Sequence, residues 1–144
     1  MQGSWELEGE LEIDEDFISK FLASLKSSNV RLSFISGAWG PEFIRLATDD
    51  MRSDPARLAI IGAETIYSPF ALKSFAETLM GLLESMPDIE KTALVGAKKV
   101  YFGVGGSMED FCILVREKGG LVEQIREESD GVRRSVVEVK FPPM

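Results

Sequence analysis

A chain of 144 residues with 44% hydrophobic and 28% charged side chains is expected to fold as one domain with a real core, not to stay disordered. It has no histidine and a single cysteine, Cys112, which excludes an internal disulfide, a Ser-His-Asp or Cys-His mechanism and a Cys/His zinc site carried by this chain. A net charge of −8 argues against a primary nucleic-acid binder and suits a basic protein partner, or simple solubility. No apolar stretch is long enough to cross a bilayer and the start lacks the character of a leader peptide, so no membrane contact and a cytoplasmic or nuclear location are expected.

In chain order, Trp5, Leu7, Gly9, Leu11 and Ile13 alternate with four glutamates, which predicts an acidic arm or edge strand over residues 1–13. Phe17, Ile18, Phe21, Leu22 and Leu25 then share one helical face behind the acids Asp14 to Asp16. Arg31 to Ser36 reads as a strand, Gly37 to Pro41 as a loop and Glu42 to Ala47 as a short helix. Leu58 to Ala63 is a strand of the kind buried on both faces, followed by a Ser68-Pro69 helix start and a helix reaching Pro87. Lys98 to Val104 reads as a further strand that Gly105-Gly106 breaks. A helix from Ser107 to Lys118 follows, and then a hairpin of Leu121–Glu127 and Val132–Phe141 about Ser129-Asp130-Gly131. Alternation of this kind predicts an α/β fold: a mostly parallel sheet with flanking helices and a C-terminal antiparallel hairpin.

Three places carry candidate chemistry. Glu64 and Tyr67 stand just beyond the Leu58–Ala63 strand, where open α/β sheets bind ligands. The plainer reading, which pattern alone favours, makes Glu64 a helix cap and Tyr67 filler of the sheet-to-helix seam. Trp39, bracketed by Gly37 and Gly40, can stack on a flat ligand or plug the core. Gly103, Gly105 and Gly106 lack the third glycine of a dinucleotide loop, Met108 standing in its place, and suit a tight turn from strand to helix instead. Cys112 sits in an apolar run as a small core residue.

The blocks Ser36-Gly37-Ala38-Trp39, Ala63-Glu64-Thr65-Ile66-Tyr67-Ser68-Pro69 and Tyr101-Phe102-Gly103-Val104-Gly105-Gly106 together resemble the second half of the eukaryotic histidine protein methyltransferases, seven-strand enzymes that use S-adenosylmethionine on a ribosomal protein. The resemblance implies a partial Rossmann-like methyltransferase fold. It implies catalytic roles for Glu64 and Tyr67, donor contacts from Gly37, Ala38, Trp39 and Ala63, and a substrate channel at Gly103, Gly105 and Gly106. Ala38 stands where relatives often carry an acid able to accept from the adenine amino group, which implies weaker donor binding. No glycine-rich donor loop and no ribose-binding acid are found in this chain. The strand over residues 31–36 and that over 58–63 are therefore expected to have open edges and apolar faces.

The leading expectation is thus a single methyltransferase-like domain over residues 1–144. It requires no metal and acts on a basic, ribosomal protein partner, with a missing N-terminal half or self-association completing the donor site. The other readings are a non-catalytic module that binds a basic protein, and an unrelated small-molecule enzyme on a doubly wound sheet.

Overall fold

The computed structural model describes residues 11–51, 57–86, 89–103 and 105–142, so most of the expected acidic arm lies outside the described residues. The chain divides into two units, residues 1–34 and 35–144.

The first unit is built on helix α1, Glu15–Ser27. Asp14 caps it: its carboxylate accepts from the Phe17 N–H at 2.7 Å, and Glu15 and Asp16 add negative charge at the positive end of the helix dipole. Phe17, Ile18, Phe21 and Leu22 lie on one face as expected, yet all are exposed, and no residue of α1 is buried within this unit. The strand expected over residues 31–36 does not form. Among the described residues no strand pairs with it, and a single segment without a hydrogen-bonded neighbour cannot hold a ladder.

In the second unit α2 (Pro41–Asp50) is followed by β1 (Arg57–Ala63), α3 (Pro69–Ser85), β2 (Glu90–Lys98), α4 (Met108–Glu117), β3 (Leu121–Glu128) and β4 (Arg134–Lys140). The sheet order is β1-β2-β4-β3. β1 and β2 are parallel, with Ala63 opposite Gly96, and both pairings of β4 are antiparallel. The fold is α/β with the expected C-terminal hairpin, and its sheet is mixed. β4 takes the interior position because it alternates the buried Ser135, Val137 and Val139, whereas β3 is nearly all exposed and suits an edge.

The strand expected over residues 98–104 lies elsewhere. β2 is Glu90–Lys98, and residues 99–103 form a loop that touches a strand pattern only at the Val100–Ser107 bridge. Ala93, Val95 and Ala97 point every second residue into the core, a faint period-two signal because two of the three are alanines.

Helices α3 and α4 cover one face of the sheet. Phe75, Leu79 and Leu83 from α3 and Phe111 and Val115 from α4 meet Val95, Val137 and Val139 in the core. Ser68 caps α3 by accepting from the Ala71 N–H at 3.2 Å, with Pro69 at its first position. Gly62 lets β1 reach this core, since a Cβ there would stand 2.6 Å from the Phe75 ring. The expectation that this strand is buried on both faces does not hold: only Gly62 is buried and Ile61 on the other face is 79% exposed, because β1 has no second neighbour among the described residues and stands as the open edge also expected.

Candidate active site at the carboxyl end of β1

Parallel pairing carries one residue past β1: the Glu64 N–H donates to the Gly96 carbonyl at 2.9 Å. Glu64 itself has φ +54, a left-handed backbone that costs a non-glycine residue about 1 kcal/mol. A strained residue held in place at a strand end marks a functional position better than a regular one does.

Its carboxylate is gripped from two sides. Tyr101 Oη donates to Glu64 Oε2 at 2.7 Å, and Arg134 Nε donates to Glu64 Oε1 at 3.5 Å. Tyr101 is buried and its hydroxyl also accepts from the Lys98 N–H at 3.3 Å. Burial first, and then the bond to the Glu64 carboxylate, push the Tyr101 phenol up to about 12, so it remains a donor throughout the neutral range. The Arg134 contact is long and half-exposed on both sides, which limits it to about 0–1 kcal/mol. The grip therefore rests on Tyr101.

Beside Glu64 opens a cavity of about 390 Å³ lined by Ala63, Gly96, Arg126, Glu128, Arg134 and Ser135 among others. The Ser135 hydroxyl is buried and has no hydrogen-bond partner among the described residues. The arrangement offers a charged acceptor fixed at the rim of a small cavity, which suits orienting an N–H-bearing side chain.

The glycine loop and the acid-bearing turn fold onto each other. A Cβ on Gly106 would lie 2.7 Å from the Ile66 carbonyl oxygen, and its φ is +102, so only glycine fits there. Gly105 lies against Pro69, and Tyr101 N–H closes the loop on the Gly106 carbonyl at 3.2 Å. Gly103 is exposed at the loop tip, with φ +84. Tyr67 is 53% exposed on the turn between Glu64 and α3.

Trp39 packs on Phe75 with ring centroids 5.2 Å apart, and Phe75 in turn packs on Phe111 at 6.0 Å. Its indole therefore joins the core and remains half-buried, while Gly37 and Ala38 before it are exposed. Phe75 also lies against Gly62, so the Trp39 loop and the end of β1 share one support. Part of the Trp39 indole stays accessible beside the exposed Gly37 and Ala38. Cys112 is half-buried, and burial pushes its thiol up, away from nucleophilic use.

Sequence reasoning picked out Glu64 and missed both of its partners. Tyr101 lies within a block noted for its glycines, and Arg134 is 70 residues away in the chain. Only the hairpin's return beside β2 brings it near.

No protein-family model matches the chain. It is 33% identical to histidine protein methyltransferase 1 of Saccharomyces cerevisiae over 102 residues, 71% of this chain and 26% of that protein. It is 30% identical to histidine protein methyltransferase 1 of Schizosaccharomyces pombe, over 97% of this chain and 41% of that protein. With the histidine protein methyltransferase 1 homolog of Rattus norvegicus identity is 35% over 74% of this chain and 28% of that protein. A solved Pyrococcus horikoshii protein superposes on 91% of this chain, covering 69% of its own, at a TM-score of 0.39 and 14% identity, too distant to bear on the fold. The chain is a sequence relative of the histidine protein methyltransferase 1 proteins and spans between about a quarter and two fifths of their length.

Proposed function

We propose that this chain forms the substrate-side wall of an S-adenosylmethionine-dependent protein-histidine methyltransferase whose substrate is a basic ribosomal protein, in the cytoplasm or nucleus. The observation that carries this reading is Glu64, strained at φ +54 and held by Tyr101 at 2.7 Å, in a chain related to proteins of that name. The donor, when bound, supplies an electrophilic methyl group. The chain's own residues supply orientation. The Glu64 carboxylate accepts from one imidazole N–H of the substrate histidine and leaves the other nitrogen as the nucleophile. It also offsets the positive charge that grows on the ring as the methyl is received. Tyr67, exposed on the same turn, shapes the entrance. Trp39 offers its face to the donor's adenine, and a further polypeptide or a second copy completes the donor site.

The test is calorimetric titration of S-adenosylmethionine into the chain, followed by transfer of labelled methyl to ribosomal proteins by wild type and Glu64→Gln. Saturable donor binding and a methylation rate at least tenfold lower in the variant support the reading. An unchanged rate removes Glu64 from it. Absence of donor binding together with salt-sensitive capture of a basic ribosomal protein replaces catalysis by non-catalytic binding.

A further inference from the structure

A wider cleft, of about 830 Å³, is lined by Tyr101 and lies between the residue 98–102 segment and the Gly131–Arg133 turn. Its lining is unlike the rest of this acidic chain. Lys98, Lys99 and Arg133 bring three cations, and among the described residues no carboxylate lines it. Glu127 holds Lys99 at 2.6 Å and Arg133 at 3.6 Å, so the lining itself carries three cations, two of them paired to one carboxylate, where the whole chain carries −8. Lys98 Nζ stands 5.6 Å over the Tyr101 ring. Among these cations Phe102 is 92% exposed, flanked by Val100 and Val132, each about half exposed. A fully exposed phenyl ring set between cations is a stacking platform with phosphate contacts on its rim.

We infer that this cleft binds single-stranded RNA, with a base on Phe102 and phosphates on Lys98, Lys99 and Arg133. An acidic peptide is the competing occupant, and the backbone disfavours it. A peptide added as a strand draws affinity from main-chain hydrogen bonds, and three amides of the cleft lining are already used. Lys98 N–H donates to Tyr101 Oη, Lys99 N–H to the Arg133 carbonyl and Tyr101 N–H to the Gly106 carbonyl. A flat base asks for none of them. The negative charge of the chain as a whole keeps the interaction weak and local, which suits an auxiliary contact with an RNA-bound partner better than primary recognition.

The experiment is fluorescence anisotropy of a labelled single-stranded oligoribonucleotide with the 144-residue chain, in the absence of any methyl donor, so that its outcome is independent of the methyltransferase reading. Saturable binding at low salt is expected. Three phosphate contacts at about 0.7 each give a log–log salt slope of about −2. Phe102→Ala, a change at an exposed side chain that leaves the fold intact, weakens binding about fivefold or more. The pair Lys98→Ala and Lys99→Ala weakens binding and flattens the slope. No saturable binding at low salt overturns the inference, as does indifference to Phe102→Ala. Displacement by a polyglutamate peptide as effective as by unlabelled RNA assigns the cleft to acidic peptides instead.

Discussion

Tyr101 Oη lies 2.7 Å from Glu64 Oε2 across 37 residues of chain, and this bond joins the loop after β2 to the turn after β1. Its donor holds its proton to about 12, against an ordinary 10.0. The folded state therefore binds more protons than the unfolded one between about pH 10 and pH 12. The stability this contributes is complete below pH 10 and is lost as pH rises through that window. Tyr101→Phe is expected to flatten alkaline unfolding there, and to cost about 1 kcal/mol at neutral pH from the lost hydrogen bond. Chemical denaturation at a series of pH values measures both.

Ultraviolet titration of the phenols separates the causes. Burial is the larger cause of the Tyr101 shift and Glu64 the smaller. Glu64→Gln should accordingly lower the Tyr101 midpoint from about 12 without returning it to 10.0. A full return would mean that the carboxylate alone sets it.

Gly106 and Gly103 both have positive φ, but only Gly106 meets backbone, the Ile66 carbonyl oxygen 2.7 Å from its built Cβ. Gly103→Ala should cost only the left-handed backbone penalty, about 1 kcal/mol. Gly106→Ala adds a clash that no side-chain rotation relieves and should cost about 3 kcal/mol or more. Thermal unfolding of the two variants tests the ranking, and equal losses would refute the close approach.

Phe75 touches Trp39, lies against Gly62 and packs on Phe111. Its truncation to alanine is expected to cost about 3–5 kcal/mol. It should also free the Trp39 indole, visible as a red shift in fluorescence under native conditions. Unchanged emission would separate Trp39 from the core.

Ser68→Ala removes the acceptor for the Ala71 N–H at the start of α3 and should cost about 1 kcal/mol in urea denaturation. The loss should be much the same from pH 5 to pH 9, because the cap is uncharged.

Where the sequence was read correctly, the signals were local. The acids Asp14 to Asp16 ahead of an apolar helical face, Ser68 as a cap with Pro69 at the first helical position, and the turn at Ser129 to Gly131 each act over four or five residues, so their spacing alone locates α1, α3 and the hairpin. Glu64 could be singled out for the same reason, as the acid directly after an apolar run. Arg31 to Ser36 has the apolar content of a strand and forms none, since a strand exists only through a neighbour. β2 was hidden because its inward residues Ala93 and Ala97 are too small to stand out, and they became core only when Phe75, Leu79 and Phe111 closed over them. The mixed sheet was decided by which strand of the hairpin could bear burial on both sides. The grip on Glu64 is likewise tertiary. Tyr101 and Arg134 reach it across 37 and 70 residues, and hydrogen bonds over such separations follow from strand order, which no short window of sequence contains.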